Sequence, residues 1–273
     1  MREPTSSGRK KLGRHLLAYH AMAVLAFLYV PMIVVAVYSF NDSRVNAVWQ
    51  GATFKWYISL LSNDRMLEAL ANSLIVACVS TAISTALGTA AALAVYRRRD
   101  KAGVAAQSVL YLPILIPDIV MGLSLLVLFS QLHFELGKLT VIAAHVTFSL
   151  SYVYILVSAR LEGIARQLEE AAMDLGATPW ETFRRVTLPL MKPGIISGAL
   201  ISFTLSLDDV MVSFFVSGPE STTLPLYIYG LVKRGISPEV NALSTLMVVV
   251  TVLLVIAAER FRIKSDGKGD STG

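Results

Sequence analysis

The chain has 273 residues, of which 55% are hydrophobic and 16% charged, with a mean hydropathy of +0.61, a net charge of +5 and a pI near 9.3. Such a composition excludes a disordered or acidic solvating protein. A single cysteine excludes an internal disulfide framework and leaves no Cys/His cluster for a metal. A basic pI raises nucleic acid as a partner, but that reading needs Lys and Arg gathered on one soluble face.

Here the basic residues punctuate apolar runs instead. A membrane-crossing helix needs about 20 predominantly apolar residues, because the hydrocarbon core is about 30 Å thick and each residue rises about 1.5 Å. Six stretches qualify, taken as spans at about 16–38, 70–96, 102–130, 139–159, 193–219 and 240–258. Four hold no Asp, Glu, Lys or Arg; 102–130 is interrupted only by Asp118, and 193–219 only by Asp208 and Asp209. The bilayer offers no water to a bare backbone, so the spans must be helical. The expected fold class is all-α, a polytopic membrane protein with six transmembrane helices.

Lys and Arg favour the cytoplasmic side of short loops. With the N-terminus inside, 18 of the 24 basic residues are cytoplasmic, in segments 1–15, 97–101, 160–192 and 259–273. Both termini are therefore expected inside, and the net positive charge needs no nucleic acid to explain it. The first span follows a basic segment as in a signal peptide, but its 23 apolar residues are too many and no small-x-small cleavage site follows before Asn41. It reads as an uncleaved signal anchor. Small residues inside the spans, such as Gly88 and the Gly194-x-x-x-Gly198 pair, suit close helix packing in lipid. Cys78 and His145 read as packed or locally hydrogen-bonded.

The cytoplasmic loop 160–192 carries the most specific pattern. Leu161, Ile164, Ala165, Leu168, Ala171, Ala172 and Leu175 recur at helical spacing. Gly176 can then take a left-handed C-terminal turn. Thr178, Pro179 and Glu181 form a capping box with proline at the first helical position, so a second helix should start there and end before Pro189. On these residues alone the loop could be a solvated connector. Glu170, Ala171, Ala172, Gly176, Leu188 and Pro189 resemble the EAA signature of permease subunits of ABC importers. The resemblance implies a type I importer permease in a bacterial inner membrane. It makes this loop the element that docks on ATP-hydrolysing subunits, with the glycine turning between its two helices.

Further segments narrow the resemblance to permeases of spermidine/putrescine importers, and to the second of their two permease subunits. They are Trp49-Gln50-Gly51, Lys55-Trp56-Tyr57, Pro117-Asp118, the run from Ser202 to Asp209, and the run from Ser237 to Ala242. The partners this implies are a second permease, two ATP-binding subunits and a periplasmic polyamine-binding protein. No cofactor is expected on this chain: it has no Gly-x-x-x-x-Gly-Lys-Ser/Thr phosphate loop, so ATP and magnesium belong to the partner ATPase and the chain is not an enzyme.

Carboxylates inside a membrane helix are costly and usually line a pathway. Counted along their spans, Asp118 and Asp208 fall about 21–24 Å from the cytoplasmic side, at matched depth, which suits a pair facing one cation passage. Adjacent Asp208 and Asp209 lie about 100° apart on a helix and cannot both face one axis. Trp49, by cation–π contact, and Ser206, by its hydroxyl, are further pathway candidates; an aromatic belt and backbone-bonded hydroxyls are their ordinary alternatives. Competing readings are a permease for another small cationic or organic solute, a gradient-driven secondary transporter, whose inverted repeats are not visible here, and an intramembrane aspartyl protease, which needs two acids sharing a proton.

Overall fold

The computed structural model describes residues 6–43, 48–98, 100–162, 166–235 and 238–266. Sequence readings that fell on Arg2, Arg44, Arg99, Ile164, Ala165, Ser237 and 267–273 lie outside them. Among the described residues there is no strand, only an isolated bridge between Asn41 and Ala52.

The helices follow the apolar runs. In order they are α1 (Ser6–Tyr38), α2 (Lys55–Leu61), α3 (Asp64–Arg97), α4 (Lys101–Leu115), α5 (Asp118–Gln131), α6 (Lys138–Glu162), α7 (Arg166–Asp174) and α8 (Pro179–Thr182). A π-helical turn (Phe183–Thr187) leads into α9 (Leu188–Asp208), followed by α10 (Met211–Val216), α11 (Leu224–Arg234) and α12 (Pro238–Asp266). Among the described residues, four helical stretches are long and apolar enough to cross a membrane, and a fifth is reached if α4 and α5 are one broken span. Side-chain caps set two of the starts: Asn63 accepts from the Met66 amide and Asp100 from the Gly103 amide.

The third and fifth expected spans are not single helices. Between α4 and α5 the axis bends by 107°. Pro117 has no N–H to donate and drives Ile116 into an extended conformation, with φ −82° and ψ 126°. In the fifth span the helix ends at Asp208, because Asp209 is extended with ψ 128°, and α10 starts two residues later.

The chain forms two units. In the first (1–62 and 231–250), the loop after α1 is held by Asn41, whose side chain donates to the Val48 carbonyl (2.9 Å) and accepts from the Gln50 amide (3.0 Å). Trp56 Nε1 donates to the Asn41 carbonyl at 2.7 Å, and Lys55 pairs with Asp42 while lying over the Trp56 ring.

In the second unit (63–230 and 251–273), α3, α6 and α9 pack against one another. Glycines permit the approach: a Cβ on Gly88 would come within 2.8 Å of Val153 on α6, and one on Gly198 within 3.1 Å of the Val153 backbone. Hydroxyl pairs tie α3 to α9, Ser84 with Ser202 at 2.9 Å and Ser80 with Ser206 at 3.2 Å. One apolar cluster gathers Val76, Phe129, Val141, Phe148, Val212 and Val216 around the α5–α10 contact, and another gathers Ala92, Val153, Tyr154, Val157 and Met191 toward the loop end.

Candidate functional site

The two helix breaks open on one cavity. About 270 Å³ in volume, it is lined by Pro113, Ile114, Asp118, Phe148, Tyr152, Leu205, Asp208, Asp209, Val210 and Met211. Asp118 is the first residue of α5, so its carboxylate sits at the positive end of that helix. Asp208 is the last residue of α9. Both are exposed, and neither carboxylate has a hydrogen-bond or ion-pair partner among the described residues.

Asp209 differs. Its side chain is 9% exposed, with Oδ1 accepting from the Val212 amide (3.2 Å) and Oδ2 from the Ser213 amide (2.7 Å), so it caps α10. Oδ2 also lies 3.3 Å from Nε2 of His145, which is fully buried on α6. The His145 ring bridges further, from Nδ1 to Ser206 Oγ (2.7 Å) and from Nε2 to Ser213 Oγ (3.0 Å). The expectation of two aspartates 100° apart on one continuous helix therefore fails, because the helix stops between them. The break leaves Asp208 open to the cavity and turns Asp209 into the fold.

Ser206 is 3% exposed, hydrogen-bonded to His145 and Ser80, and is not a lining residue of the cavity. Trp49 belongs to the first unit; 48% exposed, it lines a shallow apolar groove with Ile33, Ala36, Val37, Phe40 and Ala52. Sequence reasoning did not single out Phe148 and Tyr152. With His145 they recur at three- and four-residue spacing, so a shared face of α6 was readable, but what that face meets was not.

The loop 160–192 takes the two-helix form its residues imply, up to a point. Glu170, Ala171 and Ala172 lie on α7. Gly176 has φ +90°, and the Ala177 amide closes the turn on the Ala172 carbonyl at 3.1 Å, five residues back, as in a Schellman motif. Both halves of the Thr178–Glu181 capping box are present. The Thr178 amide, then its hydroxyl, hold the Glu181 carboxyl below its ordinary range. Leu168, Met173, Leu175 and Trp180 expose large apolar surface, up to 90% for Leu175.

The second helix does not end before Pro189. Helical backbone runs from Pro179 through Leu188 and Pro189 to Asp208. Pro189 would clash with the carbonyl four residues back in an α-helix, and the turn just before it widens to a π turn, with the Leu188 amide reaching the Phe183 carbonyl. Beside it, a cavity of about 350 Å³ is lined by Arg97, Glu169, Glu170, Met173, Phe183 and Thr187, among others.

Comparisons agree with this architecture. Residues 84–262 match the family described as binding-protein-dependent transport system inner membrane component. The chain is 44% identical over 248 residues to the spermidine/putrescine transport system permease protein PotC of Escherichia coli (strain K12), covering 91% of this chain and 94% of that one. It is 45% identical over 228 residues to the putrescine transport system permease protein PotI of the same organism, covering 81% of each. Among solved structures, a bacterial ABC transporter involved in import of the acidic polysaccharide alginate matches with a TM-score of 0.76 at 20% identity, covering 94% of this chain and 96% of that one. The MetNI methionine ABC transporter matches with a TM-score of 0.64 at 20% identity, covering 74% and 99%. These two likenesses concern the fold alone.

Proposed function

The chain belongs to the inner membrane components of binding-protein-dependent transport systems, the permease subunits of ABC importers. From that premise we propose that it forms half of a translocation pathway for polyamines, spermidine and putrescine, in a bacterial inner membrane. A second permease supplies the other half, a periplasmic binding protein delivers the substrate, and two partner subunits bind ATP and magnesium and hydrolyse the nucleotide.

The observation that carries the substrate reading is the pair of unpartnered carboxylates, Asp118 and Asp208, at two helix breaks on one cavity whose wall includes Phe148 and Tyr152. An ammonium gains charge attraction from the aspartates, and its methylene stem and charge both suit an aromatic wall. The names of the relatives point to the same substrates. Within this reading Asp118 and Asp208 meet the cation. Asp209 and Ser206 act on the pathway from inside the fold, through His145, and Trp49, on the loop after α1, is a further candidate for cation–π contact with the substrate.

The membrane topology follows the charge pattern: six crossings with both termini inside. The crossings are α1, α3, α4, α6, α9 and α12. After the proline break α5 turns aside near the periplasmic face, which puts Asp118 at the turn. Glu170, Ala171, Ala172, Gly176, Leu188 and Pro189 then sit on the cytoplasmic side. There the exposed apolar residues of α7 and the turn dock on the ATPase.

The test is uptake of labelled spermidine and putrescine into proteoliposomes holding the assembled complex, its binding protein and enclosed ATP. Uptake that needs ATP and is depressed by Asp118→Asn and Asp208→Asn, with ATPase activity retained, is the expected result. Transport without ATPase subunits would overturn the energy source, and transport of neither polyamine by the unaltered complex would overturn the substrate.

A further inference from the structure

The α9 helix runs unbroken from Leu188 to Asp208, and at about 1.5 Å per residue it is a rod about 30 Å long. Its far end is the cavity; its near end is the cytoplasmic loop. Along the chain, however, α7 reaches α9 only through two places where the backbone departs from α-helix. These are the Gly176 turn, with φ +90°, and the π turn from Phe183 to Thr187. A displacement of α7 would be partly absorbed at both.

A side-chain hydrogen bond bypasses them. Thr187, the last residue of the π turn, is 2% exposed, and its hydroxyl donates to Oε1 of Glu169 on α7 at 2.6 Å. A hydroxyl on a carboxylate at that distance is a short, charge-assisted bond. The π turn is what sets Thr187 at the start of the rod, and Pro189 is what accompanies the π turn. A second tie enters the same end of α9 from α6, where Arg160 Nε donates to the Leu190 carbonyl at 3.2 Å, but it is exposed.

We propose that the Glu169–Thr187 bond is the latch that makes α7 and α9 move together. Both are positioning residues that carry motion of the loop to Asp208 at the other end of the rod. This rests on the reading of the loop as the ATPase-docking element. Glu169 is not one of the residues of the signature resemblance, which begins at Glu170.

The experiment uses the assembled complex in proteoliposomes with its binding protein, and reads labelled polyamine uptake and ATP hydrolysis in the same vesicles. Glu169→Ala removes the acceptor and should lower uptake per ATP by about tenfold while hydrolysis continues. Glu169→Gln keeps an acceptor oxygen and should restore the natural ratio. Thr187→Val should match Glu169→Ala, Thr187→Ser should restore the ratio, and Glu169→Ala/Thr187→Val should be no worse than either alone. An unchanged ratio in Glu169→Ala, or a defect in Glu169→Gln equal to that of Glu169→Ala, would overturn the latch. Failure of Glu169→Ala to assemble would overturn it too, since a partly exposed side chain that only transmits motion is not needed to fold. Failure of the broader reading looks different: the unaltered complex would then show no ATP-dependent uptake at all.

Discussion

Asp208→Asn and Asp209→Asn change the same group at adjacent positions, and the roles proposed for them predict failure in different assays. Asp208 is exposed on the cavity and without a hydrogen-bond partner among the described residues, so its loss should alter stability by no more than about 0.5 kcal/mol. Its charge is another matter. A unit charge about 4 Å from an ammonium is worth about 1 kcal/mol in water and about 4 kcal/mol at an effective dielectric near 20. Asp208 is exposed, so an intermediate value of about 2 kcal/mol applies, which is roughly 30-fold in uptake below saturation. Asp209 accepts from two backbone amides, Val212 through one oxygen and Ser213 through the other. Asparagine offers one oxygen and one NH2, so whichever way the amide is turned, one buried amide donor faces another. That costs about 1–3 kcal/mol, a drop of roughly 3–10 °C in unfolding midpoint for a chain of this size. Differential scanning fluorimetry of the complex in nanodiscs, paired with uptake, separates the two. An Asp209→Asn midpoint equal to that of the natural chain, or an Asp208→Asn midpoint as low as that of Asp209→Asn, would refute the assignment of roles.

Other outcomes follow from packing and capping. Gly88→Ala would place a methyl about 2.8 Å from Val153, an overpacking that costs about 1–3 kcal/mol and should show as a lower midpoint, whereas Ala at the open Gly137 position should not. The Glu181 carboxyl is held low by the Thr178 amide and hydroxyl, so its contribution to the α8 turn is present above the ordinary carboxylate pKa and is lost as pH falls through the depressed value. Thr178→Ala removes the hydroxyl and keeps the amide, so it should move the Glu181 titration, followed by carboxyl NMR, only part of the way back up toward the ordinary range. Pro189→Ala removes the steric reason for the π turn; relaxation to α-helix would rotate Thr187 away from Glu169, and uptake per ATP should fall as it does for Glu169→Ala.

Much of the fold was legible because the bilayer leaves few options. Apolar runs of membrane-spanning length must be helical, and α1, α3 and α6 lie where the runs lie. The form of the loop 160–192 was legible for a local reason: a capping box, a proline at the first helical position and a glycine at a left-handed turn act within a few residues of themselves, and all three are seen. Proline effects were harder to read, because the outcome depends on neighbours. Pro117 ends a helix and bends the axis by 107°, while Pro189 and Pro193 are absorbed into α9.

The candidate site divides along the same line. That Asp118, Asp208 and Asp209 are costly in a membrane segment and call for a function follows from their place in the chain alone. Which of them stays free does not. The answer depends on where the backbone breaks, on His145 arriving from α6 to meet Asp209 and Ser206, and on α10 offering its amides to one aspartate and not the other. The sequence by itself determined the membrane, the helical class and the turn and capping box of the loop 160–192, through rules that operate within one segment. Only the tertiary structure decided which cavity carboxylate is tied up by partners and that Thr187 donates to Glu169, because both are contacts whose geometry the spacing along the chain does not record.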